Sequence, residues 1–359
     1  MSAYQNRNRS AKPQTNSKKR KGNSVVSRIG KVALVFAMTI VFLVVACVGV
    51  IFILEKGPSE TAKNLFVTSC NESSAMGFLS TMFLSQEEVD EIMNKTKMKE
   101  VDEGTVSNTD LINIDTNTTE TTDDIEIIDI TGGSYKGKLM IVHDPSRVFL
   151  GTVSEFGQFE GLTVEGIASR YENIVGGVNG GDFYDAGSYA YTALPLGAVI
   201  SNGEVVYNDN QWETLHLAGF TSDNKFFMGN ITIDEALEMG VRDAVFTVHE
   251  TGPFLIMDGQ SLVNEVPDSA TYGGGKNPRT AIGQREDGAV LLVVIDGRQA
   301  NSLGATFKDL VAVMQEYGAV NACAMDGGTS SQMYYEGEVI NNPYSPTGPR
   351  KCPTAWLVQ

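Results

Sequence analysis

A mixed α/β (α+β), strand-rich domain behind a single transmembrane helix is the architecture this sequence predicts, on three observations. An uncharged apolar run, residues 32–54, follows a strongly basic N-terminus. From Ile125 onward, short β-like runs alternate with turn signals, the texture of a sheet core with a few flanking helices. Within that region the stretch 289–326 reads strand, helix, strand, a βαβ unit. With 359 residues, 42% of them hydrophobic, the chain has apolar surface for one large core or two smaller ones.

Residues 1–31 contain nine Lys and Arg and no acid, a +9 tail. The 23 residues of 32–54 make about 34 Å of helix, enough to cross a bilayer core. A cleaved signal peptide competes as a reading, but its apolar region is normally about 7–15 residues and ends in small residues. Here the run is longer and closes on Ile53 and Leu54 before Glu55. A basic block alone would fit nuclear targeting or nucleic-acid binding. Beside an apolar span the positive-inside rule explains it better, with the tail cytoplasmic and residues 55 onward extracytoplasmic, a single-pass type II protein held in the membrane by its N-terminal helix. Of the formal net charge of −17, the tail takes +9 and leaves −26 on the rest. Such a domain repels nucleic acid, which is not an expected partner.

Residues 55–124 form a juxtamembrane helix and an acidic stalk. Ser85 and Glu88 spell a capping box, followed at helical spacing by Val89, Ile92 and Met93. The stretch 101–124 is acidic, rich in Thr and Asn and poor in large apolar groups, and is expected to be linker. The domain proper is 125–359. Turn signals at 201–203 and 287–288 punctuate hairpins. One helix is expected over 232–239, capped by Thr232 with Glu235 and stopped by Gly240, and another over 306–317, stopped by Gly318. The second presents Phe307, Leu310, Val311 and Met314 on one face. It joins the apolar run 289–295 to the run 319–325, which predicts a parallel pair buried on both faces. Ligands gather at the carboxyl ends of such strands, where Asp296 and Asp326 follow.

Three clusters there can carry chemistry. In DGGTSS, 326–331, glycines permit a close backbone approach to a ligand, exposed amides and hydroxyls donate to an anion, and the acid can act as acid/base or cation ligand. The second cluster, NGGDF at 179–183, again follows an apolar run. In the third, Arg279 is the base in NPRTAIG, a planar fork suited to phosphate or carboxylate, or else the structural partner of an aspartate. His143, His216 and His249 have no metal-ligand spacing, and no CxxC, HExxH or Walker pattern occurs. No cofactor is certain; a hard cation such as Ca²⁺ on the aspartates is the one left open. Cys47 lies in the span and Cys70, Cys323 and Cys352 outside it, an odd set in which a Cys323 to Cys352 bridge and free buried thiols are both open.

Five segments, NGGDF, the hairpin PLGAVISNGEVV, RTAIG at 279–283, DGR at 296–298 and DGGTSS, occur in the order seen in the phosphodiester glycosidase family, which the chain resembles from about residue 132 to 359. The resemblance implies a hydrolase that cuts between a sugar's anomeric carbon and a phosphodiester oxygen, with a carbohydrate phosphodiester in a surface glycan or glycopolymer as substrate. Family motifs usually read NGGFF and DGGGSS; here Asp182 and Thr329 depart from them. The expected catalytic carboxylates are Asp326 first, then Asp296, with Asp182 and Glu250 for sugar hydroxyls or a second acid. The expected substrate-binding set is Asn179, Gly180, Gly181, Arg279, Thr280, Arg298, Gly327, Gly328, Thr329, Ser330, Ser331 and Arg350. Two alternatives compete: a non-catalytic module that binds anionic polysaccharide at the cell envelope, and a cation-dependent phosphoesterase.

Overall fold

The structure is a computed structural model that describes residues 20–73, 76–114, 125–186, 189–263, 274–345 and 348–359. Most of the basic tail and the later part of the expected stalk lie outside those residues. The chain divides into two compact units, Met1–Ile53 and Leu54–Gln359. In the first, the helix Arg20–Lys56 begins, and its stretch Arg28–Lys56 is long and apolar enough to cross a membrane. Its side chains are exposed all round, Phe42 by 71% and Val32 by 70%, an arrangement that water disfavours and lipid does not.

The second unit is built on a seven-stranded sheet. Its spatial order is Ile125–Thr131, Lys136–Val142, Val290–Ile295, Arg279–Arg285, Ala319–Met325, Phe254–Met257 and Gln260–Ser261. Successive side chains of the strand Val290–Ile295 point to opposite faces, and both faces are buried. Val290, Leu292 and Val294 enter one core with Phe220, Phe226 and Trp356; Leu291, Val293 and Ile295 enter another with Phe307, Leu310 and Met314. The first core is shared with two five-stranded sheets, one around Leu215–Thr221 and one around Gly176–Asn179. The helix Phe307–Glu316 covers the second face. Each fully buried Val, Leu or Ile contributes roughly 1.5–3 kcal/mol, so the sheet is fixed by its two apolar faces rather than by its loops.

The βαβ unit is present in split form. Val290–Ile295 and Ala319–Met325 run the same way, but Arg279–Arg285 lies between them, antiparallel to both. The expected parallel pair is therefore not adjacent. The reason is local: the Asp287–Gly288 turn, with Gly288 at φ 90°, folds Arg279–Arg285 directly back on Val290–Ile295 before the helix can return. The hairpin at 201–203 also forms, with Asn202 and Gly203 both at positive φ as a type I′ turn requires. Capping boxes at Ser85, Thr232 and Thr306 start their helices, and Gly240 and Gly318 end two of them in the left-handed region.

The juxtamembrane segment holds an additional helix, Glu60–Asn71, capped by Ser59. It packs on Gln86–Thr96 through Val67, Leu84, Val89 and Ile92. The stretch 101–114 is not free stalk. Val106 bridges to Gly229, the Ser107 amide donates to the Met228 carbonyl, the Asn230 side chain donates to the Val101 carbonyl, and Ile112 is buried. Backbone hydrogen bonds to a strand edge supply what its few apolar side chains do not. Cys70, Cys323 and Cys352 are buried free thiols; burial pushes Cys352 up to about 12 and Cys70 up to about 11, so neither is a nucleophile at neutral pH.

Candidate active site

Strand register gathers the candidate residues. Arg279 pairs with Ile295 and Thr280 with Met325, so Asp296, Asp326 and the start of the strand between them share one end of the sheet. A cavity of about 1220 Å³ opens there. Its wall carries Lys276, Arg279, Arg298 and Arg350 against Glu72, Asp182, Glu250 and Asp326, four bases and four acids. The formally neutral wall is unlike the −26 carried by the chain after its basic tail and brings bases together in an otherwise acidic domain.

Asp326 enters the cavity because the buried run Ala319–Met325 ends at its floor. Its backbone is held on both sides: the Asn179 side-chain amide donates to the Asp326 carbonyl at 2.7 Å, and the Asp326 amide donates to the Gly180 carbonyl at 3.3 Å. Asn179 itself is buried, and its Oδ1 accepts from the Thr280 hydroxyl at 2.8 Å and the Gln332 amide at 3.2 Å. Asn179 and Thr280 are thus braced to each other inside the protein, and neither lines the cavity. Gly180 and Gly181 are small for packing: a Cβ would stand 2.3 Å from the Thr354 hydroxyl oxygen at 180 and 2.5 Å from the Phe246 carbonyl at 181.

The turn after Asp326 also differs from expectation. Gly328 sits at φ 62° and opens the short 3₁₀ turn Gly328–Ser330. The Gly328 amide donates to the Pro278 carbonyl, and those of Ser330 and Ser331 donate within the turn, so the DGGTSS amides are largely spent inside the protein. Gly327, Gly328, Thr329 and Ser330 line the cavity, whereas Ser331 is buried behind it.

Among the bases on the wall, Arg279 is committed elsewhere. Its Nη2 donates to Glu72 at 2.6 Å and to the Gly275 carbonyl at 2.8 Å, its Nε donates to the Ala305 carbonyl at 3.1 Å, and the guanidinium lies 3.8 Å over the Phe307 ring. Glu72, from the end of the juxtamembrane helix, also accepts from the Gly275 amide and the Asn277 side chain. Asn277 passes the linkage on, its Oδ1 accepting from Nε and Nη2 of Arg298 at 3.2 and 3.0 Å. Arg298 holds a left-handed backbone, φ 57°, that turns it toward Gly328, where an added Cβ would be 3.5 Å from its Nη2. Burial and the nearby Arg279 charge both push Arg298 below its ordinary value, a strain that an arriving anion would relieve. Arg350 stands 5.6 Å over the Phe183 ring.

The remaining acids separate by environment. Asp182 is buried; one carboxylate oxygen accepts from the Val248 amide and the other from the Thr251 hydroxyl, both at 2.8 Å. Burial outweighs those donors and pushes its carboxyl up to about 6. It thereby clips the loop that presents Glu250, whose half-exposed side chain lies 3.6 Å from Lys97. Asp296 is not at the cavity. Its Oδ1 accepts from the Asn341 side chain at 3.0 Å and the Asn342 amide at 2.9 Å, tying down another loop, and burial raises its pKa.

His143 pairs with Glu126 at 2.8 Å, away from the cavity, and the other two histidines pack together. His216 stacks on Phe254 and meets His249 edge-on, and burial together with His249 lowers the His216 pKa. Among the described residues no three His, Cys, Asp or Glu side chains converge as a metal cluster. Lys276 and Glu72 were not expected at the site. Lys276 adjoins Arg279 in the same glycine-rich segment, which is a usable signal; Glu72 is more than 200 positions from Arg279 and left none.

The phosphodiester glycosidase family model matches residues 172–359, more than half of the chain. The SPbeta prophage-derived uncharacterized protein YomE of Bacillus subtilis (strain 168) is 31% identical over 202 residues, 53% of this chain; the chain spans 29% of that relative's length. The catalytic domain of zebrafish N-acetylglucosamine-1-phosphodiester alpha-N-acetylglucosaminidase, solved auto-inhibited by its pro-peptide, superposes with a TM-score of 0.55 at 22% identity. That alignment covers 69% of this chain and 86% of the zebrafish one, and the likeness is one of fold.

Proposed function

The chain belongs to the phosphodiester glycosidase family, and from that premise we propose that it hydrolyses a sugar-1-phosphodiester at the membrane surface, releasing the sugar and leaving a phosphomonoester. The observation that carries the proposal is the cavity in which Asp326 meets Lys276, Arg298 and Arg350. Water adds to the anomeric carbon, the bond from that carbon to the phosphodiester oxygen breaks, and its electron pair leaves on the phosphate. The three bases hold that phosphate as its charge grows. Asp326 faces the oxocarbenium-like centre and stabilises it. Phosphate is a good leaving group, so the reaction needs little protonation from Glu250 or Asp182. Thr251 and Val248 occupy the Asp182 oxygens, which supports a positioning role for Asp182 and leaves Glu250 to the sugar hydroxyls.

The basic tail and the apolar helix support anchoring as a single-pass type II protein with the hydrolase outside the cell, acting on surface glycans or glycopolymers. Hydrolysis of a glycosyl phosphodiester in ¹⁸O water tests the chemistry. The label should enter the released sugar; label in the phosphate would assign attack at phosphorus and replace this reading with a phosphoesterase.

A further inference from the structure

The juxtamembrane segment carries an apolar face that the protein's own core leaves uncovered. Met76, Phe78 and Met82 are 37%, 67% and 37% exposed, on and beside the turn Gly77–Leu79, whereas Val67, Leu84, Val89 and Ile92 close by are buried. One exposed apolar side chain is ordinary; three within seven positions of one turn mark a contact surface. The turn's place in the chain says what it contacts. Glu55, the first charged residue after the apolar run, accepts a hydrogen bond from the Phe83 amide at 2.8 Å, and Lys56 pairs with Glu88 at 3.1 Å. Phe78 is five residues from Phe83, a chain reach of at most about 18 Å. Between residues 55 and 100 eight acids face five lysines, so the attraction is apolar rather than one for anionic headgroups.

We propose that Met76, Phe78 and Met82 bed into the lipid surface of the membrane that the N-terminal helix crosses. Met76 also lines the cavity, so the bedded turn holds the cavity mouth beside the bilayer, within reach of phosphodiesters carried on that membrane. The inference rests on the anchoring proposed above.

The test uses the full chain reconstituted in phosphatidylcholine vesicles doped with brominated lipid. Phe78→Trp is compared with Val205→Trp, at an exposed position on the strand Glu204–Asn208, each combined with Trp212→Phe so that the remaining native tryptophan is the buried Trp356. Bromolipid should quench the Phe78→Trp emission about two-fold and leave Val205→Trp unchanged. Equal, unquenched emission from a protein that floats with the vesicles overturns the docking while the anchoring stands. Protein that does not float overturns the anchoring, and the docking with it. Should Phe78→Trp fail to fold, Met82→Trp reads the same surface.

Discussion

Two strand ends on either side of Arg279–Arg285 share one spelling and have different surroundings. Val290–Ile295 and Ala319–Met325 are both buried apolar runs, each followed by an aspartate and a glycine. Asp326 lines the cavity; Asp296, two strands further along the sheet, turns to the 341–342 loop and accepts two hydrogen bonds from it. The difference teaches that a place at the strand tip does not by itself bring a carboxylate to the cavity; the loop that each tip leads into decides.

Five variants can break or sharpen that contrast. Asp326→Asn should lower kcat by about 10³-fold or more, roughly 4 kcal/mol, with a melting temperature near that of the parent. Asp296→Asn should do the reverse, costing about 1–2 kcal/mol of stability with kcat within a few-fold. Equal losses of kcat in the two variants would erase the distinction.

Arg279→Ala extends the contrast to the bases. It strands the buried Glu72 carboxylate, and denaturant titration should show about 3–5 kcal/mol of lost stability. Arg298→Ala should instead leave folding nearly intact and reduce kcat/KM by about 10²-fold, around 2.7 kcal/mol, through the phosphate it holds. If Arg279→Ala folds normally and loses only turnover, Arg279 belongs with the phosphate ligands after all.

The smallest effect concerns Asp182. Its carboxyl is raised in the folded protein, so the folded state binds the proton more tightly than the unfolded chain. The sign follows: stability declines as pH rises from about 4 to about 6 and levels off above. Asp182→Asn should flatten the dependence across that window, measured by thermal melts at successive pH values. A wild-type slope of opposite sign would show that the Val248 and Thr251 donors outweigh burial.

Much of the architecture was legible because its signals are local. Ser85, Thr232 and Thr306 cap helices through side chains three residues from the amides they satisfy, and Asn202–Gly203 sets its hairpin by backbone conformation alone. Asp326 and Arg298 were also legible, since each lies in a short motif next to a strand end. The place of Asn179 was not: a buried amide that links two strands and the Asp326 backbone is spelled the same as one that faces a cavity. Nor was the packing of 101–114, which depends on an open strand edge at Met228–Asn230 rather than on its own composition.

The sequence by itself determined the elements, their ends, the apolar run and the family, because these depend on spacing within a few residues. Tertiary structure alone decided that Glu72 claims Arg279 and which of two like aspartates meets the cavity. Those outcomes turn on which donors and acceptors meet across long stretches of chain, 207 positions for Arg279 and Glu72 and 45 for Asp296 and Asn341. A buried polar group accepts whatever partner the packing brings to it, and no local pattern records that partner.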